Sequence, residues 1–215
     1  MRNKKKRFGI SLRVELIEKY NEKRDTLSQE WTNFLQKRAI IPILIPNTLD
    51  DVKSYISDLG IDGLILSGGD NIGEFPERDK TEKQILDYAI DKRFPVLGVC
   101  RGMQIINEYF AGKVFANDNN SHVGKPHQIH IMDQKFSKLL GDDNIQVNSF
   151  HNNIITKKGI GEKLQVFALS DHDNTIEGYY HSDLPIIGVM WHPERDIVSK
   201  HQTKLLEIFE NKSLW

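Results

Sequence analysis

The segment "FPVLGVCRGMQIINEYFAG", Phe94 to Gly112, holds the single cysteine of the chain, Cys100, and its reading decides the fold. Phe94 to Val99 is an unbroken apolar run, the pattern of a strand buried on both faces. From Arg101 to Phe110 the spacing turns helical, with Gly112 closing the helix. Cys100 therefore falls at the carboxyl end of a strand, where open parallel sheets carry their reactive groups. Gly98 and Gly102 stand two residues to either side. Small residues there relieve the crowding of a sharp strand-to-helix turn, so "GVCRG" has the spacing of a nucleophile elbow with Cys in the place of Ser. The following helix directs unpaired N–H groups and partial positive charge at the sulfur, which favours the attacking thiolate. The competing reading, a buried cysteine acting as a small hydrophobe, does not account for the paired glycines.

Working outward, short apolar runs alternate with helical patterns. "RFGISL" (7–12), "IIPILIP" (40–46) and "IDGLILSGG" (61–69) read as strands. Residues 26–38, "DDVKSYISDLG" (50–60) and "RDKTEKQILDYAIDKR" (78–93) read as helices, the last with Asp79 as N-cap and Glu82 in the capping-box position. This alternation predicts an α/β fold: a mostly parallel sheet covered by helices on both faces. The second half changes character. "HQIHIM", "NIQVNSF", "LQVFALS", "TIEGYYH" and "PIIGVMWH" read as shorter strands joined by turns, a small antiparallel flank, before a closing helix in "SKHQTKLLEIFENK". No repeat or linker divides the chain, so one catalytic domain over 1–215 is expected.

With 29 basic and 30 acidic residues the net charge is −1, which gives no bulk attraction to nucleic acid or membrane. One cysteine rules out an internal disulfide framework and suits a reducing compartment, the cytoplasm. The basic start "MRNKKKRFGISL" makes a poor signal peptide and reads as a solvated lead-in to the first strand.

A thiolate nucleophile calls for a base and an orienting acid. "VMWHPERD" offers both: His192 and Glu194 are two apart on an extended segment, with Pro193 stiffening the pair. Acyl transfer also needs oxyanion donors. The N–H of Arg101, just after the nucleophile, is one candidate, and the N–H of Gly69 in "LSGGD" is the other. "SHVGKPHQIH" gathers His122, Lys125, His127 and His130, which could meet phosphates on a substrate, together with the Arg101 side chain if it faces the pocket. "DHDN" (171–174) lacks zinc-ligand spacing and reads as a turn. Trp31 and Trp191 read as core aromatics.

In "SGGD" (67–70), "GVCRGMQ" (98–104), "VNSFH" (147–151) and "WHPE" (191–194), the chain resembles the class I glutamine amidotransferase-like superfamily, and within it the stand-alone γ-glutamyl hydrolases, the peptidase C26-like branch. The resemblance implies a flavodoxin-like arrangement of the sheet and a Cys100–His192–Glu194 triad cleaving a γ-glutamyl C–N bond through a thioester. It makes Gly69 and Arg101 the oxyanion hole. It also implies that Gln104 contacts the glutamyl head and that the backbone around Ser149 and Phe150 binds the α-carboxylate, with His151 nearby. It implies no cofactor and no metal, a small-molecule γ-glutamyl substrate, and no obligate protein partner. Asn152-Asn153 depart from the His-Gln usual in the branch. The loop "DNIGEFPE" (70–77) is short, which points to an open pocket and a bulky leaving group. A phosphoramidate nitrogen is the narrower expectation for that leaving group. Hydrolysis of other γ-glutamyl amines or polyglutamates, a glutaminase subunit feeding ammonia to a synthetase, and a non-catalytic γ-glutamyl sensor are the alternatives.

Overall fold

The computed structural model describes residues 5–117, 122–196 and 199–215, so Met1–Lys4 of the basic lead-in lie outside the described residues. The strands are β1 (Arg7–Ser11), β2 (Arg13–Ile17), β3 (Glu22–Thr26), β4 (Ile41–Ile45), β5 (Gly63–Leu66), β6 (Val96–Val99), β7 (Phe115–Ala116), β8 (His127–Ile131), β9 (Asn144–Val147), β10 (Asn153–Ile154), β11 (Leu164–Ser170), β12 (Ile176–His181) and β13 (Ile186–Val189). The helices are α1 (Gln29–Gln36), α2 (Val52–Asp58), α3 (Pro76–Lys92), α4 (Arg101–Tyr109), α5 (Gln134–Leu140) and α6 (Lys200–Asn211).

Nine strands form one sheet in the order β4-β1-β5-β6-β13-β12-β11-β8-β9. The five from β4 to β13 run parallel, and the other four extend the sheet antiparallel. Alternation along the central strands divides the apolar side chains between two layers. On one face Ile65, Leu97 and Val99 pack with Trp31 and Phe34 of α1, Phe136 of α5 and Leu205 and Phe209 of α6. On the other, Leu64, Leu66 and Val96 pack with Val52 and Ile56 of α2, Ile85 and Leu86 of α3, and Ile105 and Ile106 of α4. Helices thus cover both faces, as the apolar runs require. No described helix is long and apolar enough to cross a membrane.

Two local expectations are corrected, and one element is new. α3 begins at Pro76 with Phe75 at the cap, so Asp79 is not an N-cap and Glu82 does not close a capping box; both carboxylates serve the site below. The chain reverses after α4 at Ala111 (φ 61°), not at Gly112. Gly112 is needed because a Cβ there would lie 2.4 Å from the Asn107 amide. Finally, β2 and β3 form a hairpin from Arg13 to Thr26 that no apolar periodicity announces, since most of its side chains are exposed. Polar ties hold it down: Val14 N–H donates to Asp70 (2.9 Å), and Asp25 accepts from the Asn47 backbone and side-chain amides (2.8 and 2.7 Å).

Candidate active site

The carboxyl ends of β1, β5, β6 and β13 converge, and each delivers part of one cleft. Cys100 leaves β6 with φ 52° and ψ −107°, a conformation that costs a non-glycine residue of order 1–3 kcal/mol and survives only where its surroundings impose it. The neighbouring glycines make it feasible. A Cβ on Gly102 would sit 2.0 Å from the Leu66 carbonyl oxygen, and one on Gly98 would sit 2.4 Å from Ile106 Cδ1. The elbow therefore lets β5, β6 and the first turn of α4 approach to backbone contact, as the spacing of the two glycines predicts.

β13 brings His192 to the same point. Its Nδ1 is 2.7 Å from Glu194 Oε1, and its ring lies beside the Cys100 side chain. Gly68 marks where the two meet: a Cβ there would lie 2.8 Å from His192 Cε1 and 3.5 Å from Cys100 Cβ. All three side chains are nearly buried. Burial pulls the imidazole pKa down, but the hydrogen bonds and charges of Cys100 and Glu194 outweigh it and raise it from 6.5 to about 10. Asn148 clamps the His192 backbone from both sides, accepting its N–H (2.9 Å) and donating to its carbonyl (2.8 Å).

Beneath the β5 turn lies a buried ionic network that no sequence pattern flagged. Arg78 is fully buried. Its guanidinium donates to the carbonyls of Ser67 (2.8 Å) and Gly68 (3.1 Å), to Asp70 (3.0 Å) and to Glu82 (3.2 Å). Glu82 also accepts from the Ser11 hydroxyl (2.7 Å) and from Arg101, and Arg101 reaches Asp79 as well. In a trans peptide the N–H points opposite to the C=O. By holding the Gly68 carbonyl, Arg78 therefore turns the Gly69 N–H away from itself; Gly69 itself (φ 111°) lines the cleft. The N–H of Arg101, first in α4, has no intrahelical acceptor. Its guanidinium is spent on Glu82 and Asp79, so the expectation that this side chain could meet a substrate phosphate is overturned.

The cleft has a volume of about 330 Å³. Gln104, Phe150 and His151 line it, whereas Ser149 does not: its hydroxyl donates to the His122 carbonyl (2.6 Å). Nor do His122, Lys125, His127 and His130 belong to its wall. Besides Arg101, the cationic residues that do are Arg13, from the hairpin, and Arg195, whose guanidinium stacks on Phe150 (4.1 Å) and pairs with Glu30 (3.3 Å). Sequence reasoning missed both, because neither sits in a motif; only the position of Arg195 one residue past Glu194 could have drawn notice. Asn153, one of the two departures after "VNSFH", donates to Asn71 Oδ1 (2.9 Å) and ties that loop to the short one after β5.

The peptidase C26 family profile matches residues 9–194. The chain belongs to the peptidase C26 family. It is 34% identical over 198 residues to the gamma-glutamyl-CDP-amidate hydrolase of Campylobacter jejuni, covering 88% of this chain and 90% of that protein. It is 28% identical over 180 residues to a glutamine-hydrolyzing GMP synthase component of Haloarcula marismortui, covering 82% and 85%. Among solved structures, a glutamine amidotransferase from Thermotoga maritima superposes with a TM-score of 0.68 at 15% identity, covering 98% of this chain and 84% of that one. That likeness establishes the class I glutamine amidotransferase fold. Family membership makes the chain a hydrolase of carbon–nitrogen bonds.

Proposed function

We propose that this hydrolase cleaves γ-glutamyl amides through a thioester on Cys100, and that its substrate is γ-glutamyl-CDP-amidate, released as glutamate and cytidine diphosphoramidate. The observation that carries the reading is the meeting of Cys100, on its strained elbow, with the His192–Glu194 pair across Gly68. Imidazolium beside sulfur is the partner of a thiolate. The thiolate attacks the γ-carbonyl, whose oxygen takes the negative charge and is met by the N–H groups of Gly69 and Arg101. Collapse of the tetrahedral intermediate breaks the C–N bond while His192 gives its proton to the departing nitrogen. Water then enters, His192 takes its proton, and hydroxide displaces the sulfur to give glutamate and restored thiolate. Glu194 holds the imidazole in place and stabilises its protonated form. Gln104, Phe150 and His151 form the wall for the glutamyl head, with the α-carboxylate near the backbone at Phe150.

The likeness to the C. jejuni hydrolase supports the narrower substrate, and so does the cleft. Arg13 and Arg195 give its wall two cations suited to a diphosphate. Release of glutamate from γ-glutamyl-CDP-amidate, a γ-glutamyl anilide, polyglutamate and glutamine, by wild type and Cys100→Ala in parallel, tests the proposal. The expected result is preferred cleavage of the CDP-amidate, none in Cys100→Ala, and a KM raised about tenfold by Arg195→Ala for the diphosphate substrate alone. Equal kcat/KM for the anilide and the CDP-amidate would remove the narrower claim. Preference for glutamine, appearing only with an added synthetase, would favour a glutaminase subunit instead.

A further inference from the structure

Outside the triad, four ligand-type side chains from four segments converge: His122 and His127 on either side of the turn before β8, His151 after β9, and Glu177 on β12. His122, His151 and Glu177 are buried, and their ligand atoms all lie within 4.8 Å of one another. Glu177 Oε1 is 3.4 Å from His127 Nε2, 3.7 Å from His151 Nε2 and 3.8 Å from His122 Nδ1. Among the described residues none of these atoms finds a hydrogen-bond partner, nor does Glu177 Oε2. Buried polar groups left without partners are costly and rare, so several meeting at one point call for a missing centre.

The separations say what kind. They exceed the roughly 2.7–3.2 Å of an N–H···O hydrogen bond. Measured from Glu177 Oε1 they approach the edge, about 3.3 Å, of a tetrahedron with Zn–N bonds of roughly 2.0–2.1 Å; His127 stands outside the group of mutually close ligand atoms and completes the set by turning inward. The outer ring nitrogens agree. His122 Nε2 lies 2.8 Å from Asp173 Oδ2, and His151 Nδ1 lies 2.9 Å from the Asn153 carbonyl. Each donates outward, which fixes the tautomer and turns the other nitrogen's lone pair toward Glu177. That is the outer-shell arrangement of metal-bound histidines.

We infer that His122, His127, His151 and Glu177 bind a divalent transition ion, with zinc fitting best. Three imidazoles and one carboxylate suit zinc rather than magnesium or calcium. Four protein ligands make a closed, structural site. Its role is to staple the turn at His122 and the Ser149–Asn153 loop to the sheet, which steadies the Phe150 wall of the cleft. The spacing of "DHDN" argued against a metal along the chain; the ligands gather only through the fold, and Asp173 contributes from the outer shell.

The test uses tag-free full-length protein, stripped of metal and titrated with Zn²⁺ and Co²⁺. One ion per chain is expected, with the intense visible d–d absorption of tetrahedral Co²⁺, no sulfur-to-cobalt charge-transfer band, and a melting temperature raised by Zn²⁺. Glu177→Gln should abolish all three effects. Asp173→Asn should weaken affinity about 10- to 100-fold, and Cys100→Ser should leave it unchanged. If Glu177→Gln fails to fold, His127→Asn is the second variant, read by the same absorption alongside circular dichroism. Folded wild type that takes up no ion would overturn the inference and leave a cluster held together by protons. Uptake that survives Glu177→Gln, or is lost in Cys100→Ser, would overturn it too, by assigning the ion to another site.

Discussion

Replacing Arg78 with methionine would remove the guanidinium that positions the β5 turn while keeping most of the buried volume. The carbonyls of Ser67 and Gly68 would lose donors now 2.8 and 3.1 Å away, and an unmet buried acceptor costs about 1–3 kcal/mol. The carboxylates fare better. Glu82 would keep Ser11 and Arg101, and Asp70 would keep the Val14 N–H and some solvent access. The carbonyl losses should therefore dominate, and the sum should fall near 3–5 kcal/mol, the range for breaking a buried pair. A domain with roughly 5–15 kcal/mol of stability survives this. Urea unfolding reads that loss, and steady-state hydrolysis reads the second effect. With the Gly69 N–H no longer aimed, kcat should drop at least about tenfold while KM changes little, since an oxyanion donor is worth about 10²–10³ in kcat. Arg78→Lys should recover part of the stability but little of the rate, because one ammonium cannot reach both carbonyls and both carboxylates. A loss under about 1 kcal/mol with kcat intact would show that the network does not position the turn.

Gly102→Ala should prevent the elbow from closing, because its Cβ would meet the Leu66 carbonyl oxygen at 2.0 Å. A loss above the usual 1–3 kcal/mol of overpacking is expected in thermal melts, and a wild-type melting temperature would refute the elbow geometry. His192 has a folded-state pKa raised from 6.5 to about 10, so its stabilising contribution is complete below pH ~6.5 and is lost as pH rises through ~10. The stability difference between wild type and His192→Gln should therefore shrink across that window, and a difference independent of pH would contradict the pairing with Cys100 and Glu194. Phe136→Ala should cost about 3–5 kcal/mol, because Phe136 is buried and stacks on Phe167 at 3.7 Å; denaturant midpoints check this.

How much of this was legible in the sequence depended on whether a feature was local. The elbow was legible because its steric need is met within five residues, by Gly98 and Gly102 around Cys100. The parallel core was legible because strands buried on both faces read as plain apolar runs. The β2–β3 hairpin was not, since it is held by Asp70 and Asn47 rather than by an apolar stripe. Arg78 was not either: a charge near a helix start reads as solvated until the fold encloses it. Glu82 fits a capping box by spacing alone, yet the helix starts earlier and its carboxylate serves Arg78 and Arg101 instead. Arg13 and Arg195 come from opposite ends of the chain, and only the sheet order makes them neighbours of one cleft.

The central claim is that Cys100, activated by His192, carries the glutamyl group. Acid quench of the enzyme during turnover, followed by mass spectrometry of its peptides, tests it directly. One glutamyl group is expected on the peptide containing Cys100, and neither adduct nor glutamate release in Cys100→Ala. Undiminished glutamate release by Cys100→Ala, with no adduct on the wild type, would contradict it.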